Sequence, residues 1–175
     1  GAISIASFCI QNGHEAEIIN IDLYRYSDDE VIDKIRTYDP DVIGFSALTS
    51  PNYNCIKRLA QLAEKAFPEK LLVMGGQLAN AADVVLYNTP IEIVAIGEGE
   101  NTMINILNMF QGDRDFSKVN GIVYLKNGKV VYTPPVQQEK NIDDFGFPDF
   151  DLIDMDWYLK DPKEHFGLFL PYITK

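Results

Sequence analysis

Short apolar runs that end in small residues alternate along this chain with longer stretches of helical periodicity. Val42–Ser46 closes on Ser46-Ala47-Leu48-Thr49, Leu71–Met74 on Gly75-Gly76, and Ile93–Ile96 on Gly97-Glu98-Gly99-Glu100. Such short runs bounded by turn residues read as strands buried on both faces. Between the first two, Ile56, Leu59, Ala63 and Phe67 recur at the spacing of one helix face, and Pro68 stops that helix. Ser50-Pro51 supplies its N-cap and a proline at the first helical position. Weaker helical periodicity covers about 80–87, and a further helix about 100–111 ends at Gly112. Strands alternating with amphipathic helices give a parallel sheet with helices on both faces.

The flanking segments extend this pattern. Residues 2–11 are apolar almost all round and read as a buried helix stopped by Asn12-Gly13. Residues 15–22 place Ala16, Ile18 and Ile21 among polar neighbours and read as a strand. Ser27 and Glu30 have capping-box spacing and open a helix with Val31, Ile32, Ile35 and Tyr38 on one face, ended by Pro40. Gly121–Leu125 and Val130–Thr133 flank Asn127-Gly128, a hairpin turn signal. From Pro134 onward the chain is irregular. Its Phe145, Phe147, Phe150, Trp157 and Phe169 need cover, which predicts that the tail packs on the sheet domain. The first helix has no strand before it and Gly167–Lys175 is an apolar run without a polar end, so both ends look cut.

Composition narrows the function classes. The 175 residues, 46% hydrophobic and 23% charged, suit one globular domain with a short extension. A net charge of −11 argues against a nucleic-acid surface or an anionic membrane, both of which call for clustered Lys and Arg. The two cysteines, Cys9 and Cys55, form neither a CxxC pair nor a disulfide framework, so a cytoplasmic location is the default. No apolar run approaches the roughly 20 residues of a membrane span, and no basic segment marks a signal peptide.

In open parallel sheets ligands bind outside the carboxyl ends of the strands. Here three strand ends carry small residues. One glycine at such a turn can simply relieve crowding; three loops of this kind on one rim favour a slot for a flat or extended ligand. GxGxxG and GxxxxGK[ST] are absent, so neither dinucleotide nor P-loop binding is supported. Glu98 and Glu100 flank Gly99 at a helix start, where capping is the expected role. His14 reads as a surface turn residue and His165 as a structural residue of the tail. No metal-ligand set and no nucleophile with a base at a recognisable spacing emerges. The residues suggest binding rather than catalysis.

Taken in order, these loops resemble the cobalamin-binding domain that precedes many radical SAM domains. Asn12-Gly13-His14-Glu15 followed by Ile18-Ile19-Asn20-Ile21-Asp22 is similar to that family's "GHEV…ID" passage. Pro40-Asp41-Val42-Ile43-Gly44-Phe45-Ser46, Gly75-Gly76 and Gly97-Glu98-Gly99-Glu100 match its next three signatures. Gly121-Ile122-Val123-Tyr124, Asn127-Gly128 and Pro148-Asp149-Phe150-Asp151 match the family's later passages. Each motif is weak alone; the ordered set, over nearly the whole chain, is specific.

The resemblance implies a flavodoxin-like (Rossmann-like) α/β fold with sheet order 2-1-3-4-5, its first strand lying before Gly1. It implies a corrinoid, cobalamin, whose nucleotide tail enters a pocket at the strand ends. The candidate contacts are Ser46, Leu48, Thr49, Gly75, Gly76, Gln77, Gly97, Glu98 and Gly99. It implies residues 1–115 as the cobalamin-binding-like domain, 116–140 as a hairpin extension and 141–175 as a tail leading toward a radical SAM domain. A 4Fe-4S cluster and S-adenosylmethionine would belong to that domain, in a parent enzyme of methyltransferase or cyclase type. No DxHxxG motif assigns a lower axial histidine. Where relatives often carry GGxH, this chain has Gly75-Gly76-Gln77-Leu78, and the apolar Leu78 motivates an alternative. That alternative is a degenerate domain without corrinoid, serving as scaffold or substrate-recognition module. A stand-alone flavodoxin-like enzyme or sensor is a third reading, opposed by the absence of a catalytic set.

Overall fold

The computed structural model describes residues 1–47, 52–137, 139 and 141–159. Three parallel strands, β1 (Val42–Ser46), β2 (Leu71–Gly75) and β3 (Ile93–Ala95), lie side by side in chain order. Val42 stands opposite Leu71 and Ser46 opposite Gly75, so β1 and β2 end level. The sheet continues antiparallel into β4 (Ile122–Lys126) and β5 (Lys129–Tyr132), giving the order β1-β2-β3-β4-β5. The hairpin joins Lys126 to Lys129 through Asn127 and Gly128, with φ of 52° and 73°. Two consecutive positive φ values define the type I′ turn, whose twist matches that of the strands and which Asn-Gly adopts readily.

Helices cover both faces of the sheet. On one face α3 (Asp28–Tyr38), α4 (Asn52–Ala66) and α5 (Ala82–Asn88) pack against Leu72, Met74, Val94 and Val123. The opposite face is formed by Leu71, Val73, Ile93 and Ile122, with Ile106 of α6 (Gly99–Gln111) against them. The alternation of Leu71 and Val73 with Leu72 and Met74 explains why β2 reads as a continuous apolar run: it is buried on both sides. Each of these fully buried side chains is worth roughly 1.5–3 kcal/mol. The Ser27–Glu30 capping box forms at the start of α3, whose Val31 and Ile35 are buried while Tyr38 lies at the margin. The four expected inward residues of α4 and its C-terminal flank, Ile56, Leu59, Ala63 and Phe67, are all buried. Helix α1 (Ala2–Gln11) ends at Asn12-Gly13 and packs on α6.

Several expectations are corrected. Residues 15–20 are not a strand: they carry no ladder and lead into a single helical turn, α2 (Ile21–Tyr24). A strand needs a neighbour for its backbone groups, and none flanks this segment among the described residues. Ile19 and Ile21 still pack at the edge of the larger core, and the segment does not pair with β1. Among the described residues the parallel strands therefore number three, not four. The helix expected from about 80 begins earlier, as a 3-10 turn over Gln77–Ala81 that continues into α5.

The tail is also only partly as expected. Phe145 meets Phe8 edge-on at 5.3 Å, and Trp157 is half-buried against Tyr158. Phe147, however, is 92% exposed and Phe150 49% exposed, because polar bonds rather than those two rings hold the tail. The Asp149 amide donates to Ser7 Oγ at 2.6 Å and Asn20 Nδ2 donates to the Tyr158 hydroxyl at 2.6 Å. Phe169, His165 and the Ser50-Pro51 cap lie outside the described residues. No described helix is long and apolar enough to cross a membrane.

Candidate functional site

The carboxyl ends of β1, β2 and β3 bring Ser46, Gly75, Gly76, Gln77 and Gly97 to one rim. Leu48 and Thr49 lie outside the described residues. At the rim's centre the backbone of Ala47 is fixed from two sides. Its amide donates to the Gly75 carbonyl at 3.0 Å, and its carbonyl accepts from the Leu78 amide at 3.2 Å.

The two adjacent glycines do different things. Gly76 has φ +94°, and a Cβ there would stand 2.5 Å from the Ala47 carbonyl oxygen. Glycine at 76 is required by the chain's own close approach to Ala47. Gly75 is the reverse: among the described residues a Cβ there would meet nothing within 4 Å. The open notch beside the exposed Ser46 hydroxyl is therefore at Gly75. Gln77 is exposed and opens the 3-10 turn, whereas Leu78 turns inward and packs against the larger core. The apolar residue in the GGxH position is thus a core residue here and leaves no gap in the rim.

Gly97, φ +90°, closes the rim's far side, where a Cβ would stand 3.4 Å from Val136 Cγ1. The capping expected of Glu98 and Glu100 is not seen, since neither side chain bonds the first-turn amides of α6. Instead Glu98 Oε2 accepts from the Glu139 amide at 2.9 Å, and Glu100 Oε1 accepts from Ser4 Oγ at 2.6 Å. Gly99 lies under Ile5, where a Cβ would come within 2.6 Å of Ile5 Cδ1. Sequence reasoning missed Val136 and Glu139 as neighbours of the rim. The available trace was Gly121, φ +74°, whose missing Cβ admits both Ile96 O and Val136 Cβ at 3.2 Å.

Other candidates fall away from the rim. A cleft of about 310 Å³ lies between Ile18, Asn20, Tyr24 and residues 151–154. Another of about 320 Å³ lies at the opposite end of the sheet, lined by Glu64, Lys70 and Glu92. Cys9 is buried in α1, and burial pushes its thiol up to about 11. His14 is half-buried in the turn after α1, where its amide donates to the Cys9 carbonyl. Among the described residues no group of three or more His, Cys, Asp or Glu side chains is placed to hold a metal ion.

An α/β sheet whose first three strands are parallel, with small residues at their carboxyl rim, defines a Rossmann-like domain. Residues 1–107 match the family described as the B12 binding domain. The chain belongs to that family. It is 29% identical over 154 residues to an uncharacterized methyltransferase of Pyrococcus horikoshii, covering 87% of this chain and 33% of the relative. It is 33% identical over 142 residues to the anaerobic magnesium-protoporphyrin IX monomethyl ester cyclase of Rubrivivax gelatinosus, covering 78% of this chain and 25% of the relative.

Two solved structures share the fold. The cobalamin-dependent S-adenosylmethionine radical enzyme OxsB, with aqua-cobalamin and S-adenosylmethionine bound, superposes with a TM-score of 0.71 at 16% identity, over 79% of this chain and 20% of that one. The radical S-adenosylmethionine methyltransferase TsrM of Kitasatospora setae, with cobalamin and a [4Fe-4S] cluster bound, gives 0.67 at 15% identity, over 81% and 27%. The chain spans about a third or less of the length of the proteins it matches.

Proposed function

We propose that this domain holds a corrinoid at the carboxyl rim of its sheet, for use by a radical SAM enzyme of methyltransferase or cyclase type. The notch at Gly75 carries the reading: it is a cradle that one Cβ would begin to fill, and a hydroxyl stands beside it. The residues fit the group in this respect. When bound, a corrinoid supplies a cobalt centre for methyl transfer or related radical chemistry, next to an iron–sulfur cluster and S-adenosylmethionine held elsewhere in the polypeptide.

The chain's own contribution is to bind and orient. Gly75 gives a ring system access to backbone, and Gly76 with Ala47 forms the rigid floor beneath it. Ser46 offers a hydroxyl to a ring nitrogen or ribose oxygen that would otherwise lose roughly 1–3 kcal/mol on desolvation. Gly97, Gly99 and the backbone of Glu98 line the opposite side, and Gln77 lies at the mouth. Leu48 and Thr49 belong to the same proposal on sequence grounds. Residues 1–115 form the binding domain, 116–140 its hairpin extension and 141–175 the tail toward a radical SAM domain of a cytoplasmic enzyme. Neither nucleic acid nor membrane is a partner.

The test is reconstitution of the full-length protein with hydroxocobalamin, followed by desalting. Corrinoid absorbance in the visible should elute with the protein. Complete separation of colour from protein would support the degenerate alternative.

A further inference from the structure

The loop between β3 and α6 is held from two directions by groups far away in sequence. Glu98 Oε2 accepts from the Glu139 amide, and Val136 Cγ1 stands 3.4 Å from the position of a Gly97 Cβ. On the other side Ser4 Oγ donates to Glu100 Oε1, and Ile5 covers Gly99. Residues 141–149 then run along α1. Phe145 packs on Phe8, Gly146 lies against Gln11, and the Asp149 amide donates to Ser7 Oγ. Further on, Tyr158 accepts from Asn20 Nδ2. The described residues between 136 and 149 therefore form a strap with one end tied to the rim loop and its body tied to α1.

We infer that Glu98 is a positioning residue that couples ligand insertion at the rim to docking of this strap. The inference rests on the corrinoid reading above and adds a role to it. A ring that enters between Gly75 and Gly97 fixes the Gly97–Gly99 backbone. That backbone carries the acceptor for the Glu139 amide, so a fixed loop holds the strap. Coupling of this kind is reciprocal, so a docked strap raises affinity for the ring by the same factor. The strap leads into residues 150–159, so the state of the rim is passed on to that segment.

Hydrogen exchange of the full-length protein tests this, with and without saturating hydroxocobalamin, in wild type, Glu98→Ala and Glu98→Gln. Binding is followed in parallel by visible absorbance. Without ligand, Glu98→Ala speeds exchange of the Glu139 amide by about tenfold, as expected for loss of one hydrogen bond to a charged acceptor. Gln keeps a carbonyl oxygen that accepts from an amide, so Glu98→Gln stays closer to wild type than Glu98→Ala does. Hydroxocobalamin slows exchange across 136–149 in wild type and Glu98→Gln but not in Glu98→Ala, which also binds several-fold more weakly. Hydroxocobalamin binding to wild type with unchanged exchange across 136–149 would overturn the coupling and leave the binding reading intact. No binding to wild type would overturn both. This wild-type comparison decides the coupling even if Glu98→Ala fails to fold. Glu98→Gln behaving like Glu98→Ala would refute the acceptor role.

Discussion

Replacing Gly76 with alanine separates the two adjacent glycines of the rim. At Gly76, φ is +94° and ψ −170°, a region occupied almost only by glycine, and forcing another residue there costs roughly 1–3 kcal/mol. The new Cβ would also lie 2.5 Å from the Ala47 oxygen, 3.0 Å from its carbon and 3.1 Å from its nitrogen. All three are backbone atoms, so no side chain can swing away. Ala47 would have to move, and it is tied by its bonds to Gly75 and Leu78. Loss of one of these adds roughly 0.5–1.5 kcal/mol. The sum is about 3 kcal/mol. Gly75→Ala meets nothing within 4 Å among the described residues and should change stability by under about 1 kcal/mol. Urea unfolding of the two variants, followed by circular dichroism, measures both quantities. A Gly76→Ala variant within about 1 kcal/mol of wild type would refute the reasoning, as would a Gly75→Ala variant as unstable as Gly76→Ala.

Gly99→Ala should cost under about 1 kcal/mol, because the crowding atom, Ile5 Cδ1, is the end of a half-buried side chain that can turn away, and Ile5→Val, which deletes that atom, should remove the cost in a double-mutant unfolding cycle. Ser27→Ala removes the N-cap of α3 and should lower stability by about 1 kcal/mol in the same assay. The Cys9 thiol titrates near 11 when folded, against 9.0 in the unfolded chain, so above pH 9 the unfolded state binds fewer protons than the folded one. Stability should therefore fall between about pH 9 and pH 11, by about 2 kcal/mol from this group. The alkaline slope should be shallower in Cys9→Ala, and identical slopes would show that Cys9 does not contribute.

The features legible in the sequence were those fixed by local chemistry or by burial on two sides. Asn127-Gly128 sets its turn through two positive φ values, Ser27 and Glu30 cap a helix between themselves, and β2 is apolar throughout because both its faces are covered. Residues 15–20 misled because alternation reports only which side chains are apolar. A strand also needs a neighbour for its backbone. The tail misled in the opposite way: its aromatic residues suggested burial, yet the bonds to Ser7 and Asn20 hold it and leave Phe147 in solvent. At the rim the glycines were visible, but their reasons were not. Gly76 is small because the Ala47 backbone approaches it, the Ile5 side chain rests on Gly99, and among the described residues only Gly75 of these three opens onto free space. The polar partners of Glu98 and Glu100 lie 41 and 96 residues away, beyond the reach of any local pattern.

Whether the corrinoid sits in the notch at Gly75 bears most directly on the proposed function. Gly75→Val in the full-length protein fills that notch with a branched side chain. Titration with hydroxocobalamin, monitored by visible absorbance, compares it with wild type, and urea unfolding confirms that stability is retained. The expected result is a loss of affinity of at least about tenfold in Gly75→Val. Wild-type affinity in a stably folded Gly75→Val protein would contradict it and move the site off this rim.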